Sequence, residues 1–155
     1  MPEFLVGFTY HDPQTFALWQ KGLIEDYESS TGVWIDSENS SEAIAWGEQI
    51  AAALHRKVNA DPAADWAGHG HKAWVEESPA TCHWQHCLGF FQRVHAGEMP
   101  LLDQMGTDAY VRWCEVNLTS TQEAATGRGF HPFRSIAVAA AKARDAISKA
   151  LFDLS

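Results

Sequence analysis

Apolar and polar side chains alternate over the first ten residues: Phe4, Val6, Phe8 and Tyr10 share one face, which predicts a strand over 3–10. Asp12 and Pro13 then read as an N-cap followed by proline at the first helical position. Phe16, Trp19 and Leu23 follow at helical spacing, with Gly22 as a stop. A period of two also fits 16–24, so a strand there is the competing reading. Residues 30–36 read as a second strand entered through a turn. The strongest pattern covers 40–58, where Asn39 and Glu42 have the spacing of a capping box. Ile44, Gly47, Ala51, Leu54 and Val58 make its apolar stripe. Glycine inside a helix costs about 1 kcal/mol relative to alanine, so Gly47 implies a close neighbour. Asn59, Ala60, Asp61 and Pro62 end the helix.

Further strands are predicted over 72–76 and 88–94, on either side of a loop-rich middle. Thr107 caps a helix over 107–118. Residues 119–131 are polar and glycine-containing and read as a linker. Beyond Pro132 a helical stripe runs through Ile136, Ala140, Ala143, Ile147, Leu151 and Leu154. Several strands follow one another through short turns, and no glycine-rich strand-to-helix turn appears. The pattern therefore predicts an α+β fold, with a mostly antiparallel sheet of about four to five strands and two or three helices packed on one face. At 155 residues, one globular domain over 1–155 is expected, with a core that needs neither disulfide nor metal.

Charge narrows the function classes. The chain carries 20 acidic and 11 basic side chains, a net charge of −9. Residues 1–80 hold 13 acidic and 4 basic groups, so the imbalance lies wholly in the first half. This argues against nucleic acid, whose affinity comes mainly from Lys and Arg on phosphates. No apolar run reaches the ~20 residues needed to span a bilayer, and the start lacks the pattern of a secretion signal. Three cysteines suit a reducing cytoplasm.

Seven tryptophans are a surplus. Trp66, in an Ala/Asp/Gly loop, and Trp84, among polar residues, have two readings. They pin loops to the domain, or they anchor a partner as Trp often does. With the acidic Glu25, Asp26 and Glu28, they form the expected partner-facing surface. The leading expectation is thus a small non-catalytic binding protein of inhibitor or immunity type, acting on a protein partner of basic character. No cofactor is expected and no catalytic set is complete.

Two other features carry chemistry. His69, His71, His83, His86 and Cys87, with Cys82 nearby, bring metal-ligand types together. The alternative function is therefore a metal- or small-ligand-binding domain centred on 69–87. No C-x-x-C or H-x-x-x-H spacing occurs there, so the stretch is expected to hold no structural metal. A Cys–His nucleophile lacks any oxyanion-hole context. Arg128, His131 and Arg134 stand before a predicted helix N-terminus and form a candidate anion site, although Phe130 and Phe133 also suit a helix staple. A small enzyme using the acidic cluster and Arg128 is the third reading.

Overall fold

The computed structural model describes residues 1–86 and 88–105. The helix expected over 107–118, the linker 119–131, the C-terminal helix, Cys87 and the Arg128, His131, Arg134 group lie outside the described residues. Within them, β1 (Glu3–Tyr10), α1 (Pro13–Gln20), β2 (Ser29–Asp36), α2 (Ser40–Val58), β3 (Ala73–Val75) and β4 (Arg93–His95) follow in order. The class is α+β.

β1 lies inside a four-stranded sheet of order β3-β1-β2-β4. It pairs antiparallel with β2 over its whole length, Glu3 opposite Asp36 and Tyr10 opposite Ser29. It pairs antiparallel with β3 through Val6, Gly7 and Phe8. The sheet is mixed rather than mostly antiparallel, because β4 runs parallel to β2. A parallel neighbour needs a long crossover, and the chain between Asp36 and Arg93 supplies one containing α2 and β3. The strand expected over 88–94 is correspondingly reduced. Leu88–Phe90 form a 3-10 turn and only Arg93–His95 are extended.

Local chemistry accounts for both helices. Asp12 caps α1, its carboxylate accepting from the Thr15 N–H at 2.8 Å, and Pro13 opens the helix. The strand alternative over 16–24 is thereby excluded. Asn39 caps α2 by accepting from the Glu42 N–H at 2.9 Å. The Glu42 carboxylate reaches back to the Glu38 N–H at 2.9 Å, one residue earlier than in the standard box.

The core lies where α2 meets the alternating face of β1. Ala43, Ile50, Ala51 and Leu54 join Val6, Phe8, Tyr10, Val33 and Ile35 in one buried cluster. Ile44 is only half-buried, since Ala43 and Gly47 occupy the inward positions of the first turns. Gly47 is where the helix touches the sheet: a Cβ there would lie 2.4 Å from the Val6 Cγ1. On the opposite face of β1, Gly7 and Gly32 leave room for the Trp84 ring, which stacks on Trp74 with centroids 5.8 Å apart. Among the described residues, no helix is long and apolar enough to cross a membrane.

Gly47→Ala tests this close approach. Helix propensity alone favours alanine by about 1 kcal/mol. Val6 is branched and fully buried, so it cannot swing aside, and overpacking of this kind costs about 1–3 kcal/mol. The expected outcome in urea titration is a net loss of stability; a gain would show that α2 lifts off the sheet freely.

Candidate metal centre

Four histidines meet at one end of the sheet. His11 directly follows β1, His55 lies in the last turns of α2, His69 closes the 3-10 turn Ala67–His69, and His71 precedes β3. Because β1 runs against β3, the end of one strand and the start of the other are neighbours. His11 lies 4.6 Å from His55, 4.7 Å from His69 and 5.0 Å from His71, measured between ring centroids.

The loop that delivers His69 and His71 is held by specific bonds. The buried Trp66 ring donates its N–H to the Thr9 carbonyl at 2.7 Å, tying the loop to β1. Gly70 adopts a left-handed backbone with φ of 77°, open to glycine at little cost, and turns the chain between the two imidazoles. The Tyr27 hydroxyl donates to the His69 carbonyl at 3.3 Å. Asn59, just past α2, donates through its amide to the carbonyls of His11 (2.9 Å) and His55 (2.8 Å). That amide fixes the end of the strand against the end of the helix.

Hydrogen bonds also orient the rings. His71 Nδ1 lies 2.9 Å from Glu28 Oε1, and His71 Nε2 lies 2.7 Å from His11 Nδ1. With Glu28 ionised, the consistent assignment has His71 donating from Nδ1 to the carboxylate. His71 Nε2 then accepts from the His11 Nδ1–H, which leaves His11 Nε2 with a free lone pair. His69 donates from Nδ1 to the Asp65 carbonyl at 2.8 Å, so its Nε2 is likewise free. One ring nitrogen from each of His11, His55 and His69 converges within 4.8 Å of the others. His69 thus has its second nitrogen on a carbonyl, as metal-binding imidazoles usually do. His11 is instead held through His71, and the His55 Nδ1 faces the Asn59 amide nitrogen at 3.4 Å.

Burial and mutual repulsion favour the neutral form of His11, His55 and His71. Burial is the main cause that pulls His11 from 6.5 to about 4, with the neighbouring His55, His71 and His69 adding to it. His55 falls to about 4 for the same reasons, burial first and then His71 and His69. Burial also lowers His71, against the opposing pull of Glu28. Neutral imidazole is the form that binds metal.

The expected site residues divide. His69 and His71 belong to the cluster, His69 with a converging nitrogen and His71 behind His11. His83 and His86 are exposed and are not among the converging residues, and His83 lies against Trp84 at 4.5 Å. Cys82, half-buried, donates to the Pro79 carbonyl. Glu28 bonds His71, whereas Glu25 and Asp26 are exposed. Trp66 and Trp84 are both buried, 6% and 1% exposed. His11 and His55 escaped sequence reasoning because they stand 44 residues apart and outside the His/Cys stretch. A signal existed for each: His11 ends an apolar alternation, and His55 sits beside Leu54 on the inward side of α2. Comparison with protein-family models, curated proteins and solved structures finds no match.

Acid should weaken the metal-free fold. His11 and His55 bind protons less readily folded (about 4) than unfolded (about 6.5). Between these values the unfolded chain holds more protons, so stability is full above pH 6.5 and falls as pH drops toward 4. Urea midpoints measured from pH 7.5 to 4.5 should decline through that window, and less steeply in His55→Gln. A flat profile would mean that the imidazoles are solvated.

Proposed function

We propose that this chain is a metal-binding domain whose His11, His55 and His69 hold a divalent transition cation, zinc foremost. The convergence of three imidazole nitrogens within 4.8 Å carries the reading. A tetrahedral zinc with bonds of about 2.0–2.1 Å spaces its ligand atoms about 3.3–3.4 Å apart. Some closing-in is therefore required, and the exposed His69, on a short turn, is the ligand placed to supply it. Borderline nitrogen ligands suit zinc, copper, nickel or cobalt rather than calcium or magnesium. Three protein ligands leave a fourth position open, the arrangement of catalytic rather than structural zinc. Glu28 and His71 stand behind His11, Asp65 behind His69, and Asn59 sets the spacing of His11 and His55.

Calorimetric titration of chelator-treated protein should show one equivalent of zinc bound. Binding to the folded state alone should raise the melting temperature, by about 2.7 kcal/mol of stability at a hundredfold excess over Kd. His69→Ala, at an exposed position, should weaken binding by more than the roughly 10–100-fold that loss of a supporting partner costs. His83→Ala and His86→Ala should leave affinity unchanged. Equal zinc binding by His69→Ala would dismiss the centre.

A second reading keeps a protein partner of basic character for an inhibitor- or immunity-type domain. Its support is one surface stretch in which Trp19 and Leu23 are 40% and 54% exposed beside the exposed Glu25 and Asp26. Trp66 and Trp84 drop out of that surface, being buried. With a partner captured from the host, Glu25→Gln combined with Asp26→Asn should slow association at low salt and flatten its salt dependence, Glu28 being left intact for His71. An unchanged rate and salt slope would leave this acidity as solubility alone.

A further inference from the structure

Aromatic rings pack against His11 and His69. Phe16 lies stacked on His11, centroids 4.8 Å apart, and edge-on to His69 at 5.5 Å. Tyr27 meets His11 edge-on at 5.4 Å. Phe16, Trp19 and Tyr27 close on one another at 5.6, 5.4 and 4.6 Å. His69 is exposed, Trp19 keeps 40% of its surface, and Leu23 just beyond keeps 54%. A core motif would bury these rings. Phe16 and Tyr27 are instead half-buried, and Trp19, packed on both, is exposed.

Charge decides what kind of head group fits. Imidazole adds no charge of its own when it coordinates, so the ion's positive charge would act on the fourth ligand. The side-chain charges that reach the histidines, however, are those of Asp12, Glu28 and Asp65 against Arg56. That surplus opposes a carboxylate and leaves an uncharged donor at an advantage. Borderline cations accept heteroaromatic nitrogen readily, and a flat ring can lie along an aromatic wall.

Resting on the metal reading, we propose that the open coordination position takes a small uncharged nitrogen heteroaromatic, of the imidazole or pyridine type, whose apolar body lies against Phe16 and Trp19. Trp19 is then the specificity-determining residue: it touches the ligand's body and not the metal.

Cobalt-loaded full-length protein gives the test, since cobalt(II) reports coordination through its visible absorption bands. Imidazole, 4-phenylimidazole, acetate and benzoate are titrated in turn. The phenyl-bearing azole should bind roughly tenfold tighter than imidazole, the scale of one added aromatic contact. Both azoles should bind more tightly than either carboxylate. Trp19→Ala should cut the phenyl advantage to about threefold or less while leaving imidazole affinity and the cobalt spectrum unchanged. Absence of a cobalt band would overturn the metal centre itself and this inference with it. A normal band with benzoate preferred, with no phenyl advantage, or with an advantage that survives Trp19→Ala would overturn this inference alone.

Discussion

β1 is the strand on which the rest of the described structure depends, because it is paired on both edges and covered on both faces. Its amides and carbonyls bond to β2 and β3, so its backbone polar groups are satisfied away from water. Val6, Phe8 and Tyr10 enter the core with α2, and Gly7 on the other face accepts the Trp84 ring. The strand then ends directly in His11. An imidazole so placed inherits the rigidity of a central strand, which a loop histidine would lack.

The histidine cluster is electrostatically self-consistent. A proton on one ring would be repelled by its neighbours, and burial penalises charge on His11, His55 and His71. Packing four imidazoles together therefore costs little while they stay neutral, and neutrality is also what coordination requires. Among the described residues Glu28 is the carboxylate bonded to the cluster, and its side chain is 32% exposed, where water shares its charge. With His71 donating to this carboxylate and His11 donating to His71, both donors point outward to Glu28. A carboxylate–histidine–histidine series of this kind fixes a tautomer at distance, without placing negative charge beside the converging nitrogens.

Tryptophan takes a quieter role than its abundance suggests. Trp66 bonds the Thr9 carbonyl and stacks on His71 at 6.4 Å, so it fastens the loop that supplies two of the imidazoles. Trp46 donates to the Glu98 carbonyl at 2.8 Å and ties the end of β4's following turn to α2. Both use the indole as a large apolar body with one obligatory donor.

The sequence by itself determined the local elements. Alternation at Phe4, Val6, Phe8 and Tyr10 dictated β1, and the Asp12 and Asn39 caps dictated where α1 and α2 begin, because these depend on neighbours within a few residues. The His/Cys stretch was legible as ligand chemistry, and it contained His69 and His71. Only the tertiary structure decided the rest. Strand direction depends on where a long crossover returns, so β4 came out parallel to β2 where hairpins alone would have made it antiparallel. The centre depends on contacts between residues 11, 55, 69 and 71, and neither periodicity nor short-range spacing encodes a meeting across 44 residues. Folding brings the end of β1, the last turns of α2 and the turn before β3 to one place, since all three follow from which strands pair with β1 and which face of it α2 covers.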